Sequence, residues 1–162
     1  MVYNRLDTNT PVFNVGSYIK DILKIVPYTK IYVGTDSQNT GDYTVYATVI
    51  VLHYNGNNGG HVIFSKERVP RIRDKYAKLW GEVERSVNVA NFLKNDCGID
   101  VQYIDLDLNA NKKEESNKIL ASAVGLVESY GYGARFKPGP AYAVRIADVL
   151  CRPKRRSNRI KE

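Results

Sequence analysis

The stretch Ile31-Tyr32-Val33-Gly34-Thr35-Asp36-Ser37-Gln38 is an apolar strand pattern that ends on a carboxylate, and it constrains the fold more than any other segment. Two more strand patterns follow at 42–54 and 61–69. They flank Asn55-Gly56-Asn57-Asn58-Gly59-Gly60, a loop rich in residues that tolerate positive φ. The early chain therefore predicts a three-stranded antiparallel meander. A sheet excludes unpaired charge from its interior, because an ionised carboxylate buried without a cation or hydrogen-bond donors is costly. Asp36 must then have a local structural partner or share a site with acids from elsewhere in the chain.

Upstream, Val15, Tyr18, Ile19, Ile22, Leu23 and Val26 fall on one helical face, which Pro27 ends. After Pro70, apolar residues at Tyr76, Leu79, Trp80, Val83, Val87, Ala90 and Leu93 predict a long helix over 74–94, stopped by Asn95-Asp96-Cys97-Gly98. A strand at 101–108, a polar loop at 109–115 and a helix at 116–129 come next. A short strand at 134–136 and a final helix at 141–150 complete the order. A meander followed by helical crossovers implies an α/β fold with a five-stranded mixed sheet. Strands 1–3 are antiparallel, strands 4 and 5 run parallel to strand 1, helices cover both faces, and one extra helix precedes the sheet. The chain divides into an N-terminal extension (1–27), a domain (28–151) and a basic C-terminal tail (152–162).

With 43% hydrophobic residues in a chain of 162, one domain with a substantial core is expected. Six basic residues and a single acid, Glu162, lie beyond Cys151, so most of the net charge of +7 belongs to that end. Arg152, Lys154, Arg155 and Arg156 suit contact with a phosphate backbone; a solvated end that only aids solubility is the alternative. No apolar run is long enough for a membrane helix, and the first residues lack the apolar core of a secretory signal, which predicts a cytoplasmic protein without membrane contact. Cys97 and Cys151 are far apart and lack nearby ligands, and read as buried free thiols.

Among the later acids, Asp105 and Asp107 project from one face of their strand, near its C-terminal end, where open α/β sheets place ligand sites. Asp148 sits in a helix that is apolar nearly all round, and needs a partner; an intrahelical pair with Arg145 or Arg152 is the structural alternative. On the long helix Glu82 and Glu84 flank the apolar stripe on opposite sides, with Glu82 slightly favoured as inward. Four acids brought together from two strands and two helices repel one another, and a pair of divalent cations is the usual remedy. Mg²⁺ or Mn²⁺ takes carboxylate and water oxygens, and two such ions about 4 Å apart act on phosphodiesters. The sequence contains no Walker-type phosphate loop, zinc-site spacing or serine-nucleophile elbow. His53 and His61 flank the hairpin loop and read as surface residues.

The order β-β-β-α-β-α-β-α, with acids on strand 1, the first crossover helix, strand 4 and the final helix, resembles the ribonuclease H-like superfamily. The segments Val33-Gly34-Thr35-Asp36-Ser37-Gln38, Asp105-Leu106-Asp107-Leu108-Asn109, Ser116-Asn117-Lys118 and Lys137-Pro138 with Ala147-Asp148 resemble its YkuK-type branch of small bacterial and phage proteins. The resemblance covers about residues 28–150. It implies that Asp36, Glu82, Asp105 and Asp148 are catalytic and hold two Mg²⁺ or Mn²⁺ ions, with Asp107 as an outer ligand or a substitute for Asp105. Lys118 and Lys137 then stand near a phosphate. The strand-1 motif reads Thr-Asp-Ser-Gln where hybrid-cutting ribonucleases H commonly have Thr-Asp-Gly-Ser. No histidine occurs in the loop before the last helix, and the basic handle that grips hybrids has no clear counterpart.

The expected function is a metal-dependent nuclease that hydrolyses RNA or DNA by a two-metal-ion mechanism. A non-catalytic nucleic-acid-binding module on the same fold is the alternative, and a junction resolvase is a third possibility. The implied partner is RNA, RNA–DNA hybrid or DNA, in a cytoplasm that is the host's if the protein is phage-encoded.

Overall fold

The computed structural model describes residues 1–55 and 59–153. Residues 56–58 and 154–162, and with them Lys154, Arg155 and Arg156 of the basic tail, lie outside the described residues.

The meander forms as its alternation predicts. β3 (Lys30–Thr40) and β4 (Tyr43–His53) pair antiparallel over their whole length, from Lys30 opposite His53 to Thr40 opposite Tyr43. Gly41, at φ 57°, lies in the two-residue connection, where a side chain would be strained. β5 (Gly60–Pro70) continues the ladder antiparallel to β4. β6 (Tyr103–Asn109) lies parallel to β3, and β7 (Gly133–Lys137) parallel to β6.

The expectation of five strands is corrected to seven. β1 (Tyr3–Arg5) and β2 (Pro11–Val12) form a small hairpin that adds to the free edge of β5. The full order is β2-β1-β5-β4-β3-β6-β7. Strands of three and two residues are too short to carry a period. They are held because Tyr3 and Val12 are buried in the main core and backbone bonds are satisfied at a sheet edge.

Helices cover both faces. α1 (Val15–Ile25) starts where the Asn14 side chain accepts from the Ser17 N–H, and α2 (Lys75–Asn91) where Asp74 accepts from the Ala77 N–H. α2 ends in a π-turn over Phe92–Asp96, and Gly98 at φ 67° takes the chain out of it. A 3₁₀ turn (Glu115–Ile119) leads into α3 (Leu120–Ser129). These three helices bury Ile19, Val83, Val87, Ala90 and Val127 against Val33, Ile50, Ile63, Ile104 and Leu106. α4 (Tyr142–Cys151) packs on the opposite face, where Ala143, Ala147 and Cys151 meet Tyr32, Ala47, Val49 and Phe64. Among the described residues, no helix is long and apolar enough to cross a membrane.

The small residues of α4 allow it to approach the sheet closely, and Gly34 completes the fit. A Cβ at Gly34 would stand 2.8 Å from the Cβ of Ala143 and 2.9 Å from the Val144 nitrogen. Gly34→Ala should therefore push α4 outward and lower stability by about 1–3 kcal/mol, the usual cost of overpacking. Urea denaturation of the two proteins measures this, and an unchanged midpoint would contradict the close approach.

Candidate functional site

Side chains alternate across β3, so consecutive residues of the Thr35-Asp36-Ser37 run serve opposite faces. Thr35 and Ser37 face α2. The Ser86 hydroxyl donates to Thr35 Oγ1 at 2.9 Å, Thr35 and Thr48 hydroxyls stand 3.0 Å apart, and Ser37 donates to Glu82 Oε1 at 2.5 Å. Asp36 shares the α4 face with Gly34. Its carbonyl oxygen accepts from Cys151 Sγ at 3.0 Å, which ties the last turn of α4 to this strand position.

The parallel ladder sets where the acids of β6 stand relative to β3. Gly34 is the partner of Asp105, and Asp36 and Asp107 each lie two residues beyond that pair, near enough for the Asp107 charge to act on the Asp36 carboxyl. Asp105 itself is 1% exposed and fully engaged. Arg135 of β7 grips both its oxygens, at 2.6 and 2.8 Å, and the Ala143 N–H donates to Oδ2 at 2.8 Å. The Arg135 guanidinium also lies over the Tyr32 ring, 3.9 Å from its centroid. Helix α4 starts on Ala141, whose side chain accepts nothing, so Asp105 supplies the cap from a neighbouring strand. Burial pushes the Asp105 carboxyl up, and the hydrogen bonds from Arg135 and Ala143 pull it back only in part. The structure thus places Asp105 in an anchoring ion pair with Arg135, while Asp107 lines the cleft.

Asp107, Asp148, Lys137, Val144 and Arg145 line a shallow cleft of about 200 Å³. Two of its acids carry cations. Lys137 Nζ is 2.5 Å from Asp107 Oδ1, and Arg152 Nη2 is 2.5 Å from Asp148 Oδ2. The latter is the i, i+4 pair that the helix spacing offered as the structural alternative. Arg145, the other partner considered for Asp148, is exposed at the cleft and makes no ion pair among the described residues. Asp36 is 8% exposed and also makes no ion pair. Its carboxyl is pushed up to about 7, first by burial and then by the charges of Asp107 and Asp148.

Glu82 is buried while Glu84 is exposed, so the faint periodic preference for Glu82 matches the burial. It reaches the strand ends from the α2 side. Burial raises its carboxyl well above the usual range, Asp36 and Asp107 add to the rise, and the Ser37 hydroxyl opposes it. Lys118 is exposed on the 3₁₀ turn, its ammonium over the Tyr76 ring on the α2 face, and it does not line the cleft. His53 is half-buried rather than a surface residue, with Nδ1 3.1 Å from the Tyr32 hydroxyl. Cys97 is a half-buried free thiol and Cys151 a buried one.

Asp36, Asp107, Asp148 and Glu82 are hard oxygen donors, and an uncompensated buried carboxylate with two acids near it is a setting that Mg²⁺ or Mn²⁺ suits. Among the described residues, no three of the His, Cys, Asp and Glu side chains converge closely enough to grip an ion as they stand. The reason is visible in the contacts, since Lys137, Arg152 and Ser37 each hold one of these acids. Sequence reasoning considered Arg145 only as a partner for Asp148, and missed the Arg135–Asp105 pair and the Ser37–Glu82 contact. Arg135 left a trace as a cation inside a short strand, two residues from Lys137.

A family model described as Ribonuclease H-like matches residues 14–152. The YkuK-type resemblance is consistent with that family. No curated protein matches the sequence.

Two outcomes follow from these contacts. Arg135→Met leaves Asp105 buried without its partner and should cost about 3–5 kcal/mol, read by chemical denaturation. Asp36 gives a pH dependence of definite sign. Its folded pKa of about 7 lies above the 3.8 ordinary for an aspartate, so between these values the unfolded chain loses the proton first and stability falls as pH rises. Asp36→Asn should match the wild type near pH 4 and exceed it above pH 7 by at most about 4 kcal/mol. Thermal melts of both proteins across that range check the sign.

Proposed function

The chain belongs to the ribonuclease H-like family, and on that premise we propose that it is a metal-dependent nuclease acting on phosphodiesters of RNA or DNA. The observation that carries this reading is the buried Asp36 carboxylate, which makes no ion pair among the described residues and lies within the field of Asp107 and Asp148. All three lie toward the end of the sheet where α/β folds place ligands.

Asp36, Asp107 and Asp148 would hold Mg²⁺ or Mn²⁺, with Glu82 as the donor from the α2 side. Bound there, the ions would supply the Lewis acidity that stabilises charge on a phosphate and eases ionisation of a water. The chain's own residues do the rest. Arg145, exposed at the cleft and without an ion pair among the described residues, binds a phosphate oxygen, and Arg152 lies one turn beyond Asp148 along the chain. Ser37 orients Glu82 through its hydroxyl. Asp105 serves as a positioning residue that fixes β7 and the start of α4. Lys118 is left as a contact for more distant parts of a nucleic acid.

A non-catalytic nucleic-acid-binding module is the second reading. It is favoured by the ion pairs Lys137–Asp107 and Arg152–Asp148, which neutralise two of the acids without any metal. A cleavage panel separates the two. It uses single-stranded RNA, RNA–DNA hybrid, single- and double-stranded DNA and a four-way junction, each with Mg²⁺ and with Mn²⁺. We expect cleavage of at least one substrate, lost in EDTA and reduced by about 10²–10³-fold in Asp36→Asn and Asp107→Asn, the cost of removing one electrostatic stabiliser. Asp105→Asn should lower the melting temperature and retain Mn²⁺ binding. Binding without cleavage on every substrate, insensitive to EDTA, would establish the second reading instead.

A further inference from the structure

Lys137 is the last residue of β7, paired with Asn109 at the end of β6, so its side chain projects at the level where the acids gather. Its ammonium is placed at 2.5 Å on Asp107 Oδ1, the carboxylate whose charge acts on Asp36. Lys137 and Asp148 line the same small cleft. The proximity of all three acids is felt at the amine, which Asp107 foremost, and then Asp36 and Asp148, hold in its charged form. Arg152 completes the balance by pairing with Asp148 along the helix.

This arrangement satisfies the need for positive charge without a metal, and does so with a group that can leave. The Lys137 side chain is 45% exposed, and a lysine stem has four rotatable bonds through which its head can move to water or to a passing phosphate. An ammonium on Asp107 Oδ1 and a divalent ion at that same oxygen compete for it, because like charges repel in a half-buried site.

We propose that the Lys137 ammonium occupies the place of a cation beside Asp107, and that it and a divalent metal ion hold the acid cluster by turns. Arrival of the metal moves the ammonium off Asp107, toward the open side of the cleft beside Arg145. Lys137 thereby acts as a built-in competitor that keeps the acids together in the metal-free protein and becomes a free cation when metal is present. The proposal rests on the metal reading given above, but it can fail alone.

The test is calorimetric titration with MnCl₂ of the wild type, Lys137→Met and Lys137→Arg, with circular dichroism to verify folding. Removing the competitor should tighten Mn²⁺ binding by up to about tenfold, the scale of one half-exposed ion pair, whereas Lys137→Arg keeps the positive charge and should stay near the wild type. In the wild type, saturating Mn²⁺ should also speed reductive methylation of Lys137, followed by mass spectrometry of the peptide that carries it. Equal or weaker Mn²⁺ binding by Lys137→Met, or a methylation rate that Mn²⁺ leaves unchanged, overturns the competition while leaving the metal site standing. Absence of Mn²⁺ binding in all three proteins overturns the metal reading and the competition together. If Lys137→Met does not fold, the methylation rate in the wild type alone decides.

Discussion

One buried carboxylate, Asp105, holds the working end of this molecule in place. It fixes Arg135 on β7 through two hydrogen bonds and caps the start of α4 through the Ala143 N–H. One side chain on β6 thereby joins β7 and the start of α4, 30 and 38 residues further along the chain. A buried ion pair earns little net stability against its desolvation, so its value lies in specifying where β7 and α4 sit. That placement matters, because Lys137 is two residues beyond Arg135 and Asp148 is on the helix that Asp105 caps.

The second constraint is steric. Gly34, Ala143 and Ala147 let α4 lie close to β3, and the contact is closed at its far end by the Cys151 thiol on the Asp36 carbonyl. The helix is thus fixed to strands at both ends, by a carboxylate at its start and a thiol at its finish. Asp148 lies between these two anchors, so its distance from Asp36 is set by packing and not by its own contacts. The cleft is consequently a property of the α4–sheet interface as a whole.

Much of this was legible in the sequence, for reasons that are local. The strand patterns of the meander, the helical stripe of α2 and the nearly all-round apolar surface of α4 each declare themselves within one element. Glu82 over Glu84 could be read because burial follows the helical period. The different surroundings of Asp105 and Asp107 could not. They depend on the register of β6 against β3, which joins segments some seventy residues apart, and a shift of two residues leaves the hydrophobic pattern unchanged. β1 and β2 escaped because two or three residues cannot show a period. The run from Ser37 to Thr40 continues β3, although its polar residues suggest a loop, because β4 supplies backbone partners through Thr40.

The hairpin of β1 and β2 has a consequence for how copies of this protein meet one another. β5 is eleven residues long and would otherwise offer a long row of unpaired backbone groups to any neighbouring strand. β1 occupies that row only at Ile63 and Phe64, its most apolar part, where β5 is buried. The remainder carries Lys66, Glu67 and Arg68, all exposed, and such a charged margin resists pairing without needing cover. The fold therefore guards its outer strand against aggregation in two ways, by occupation where it is sticky and by charge where it is bare.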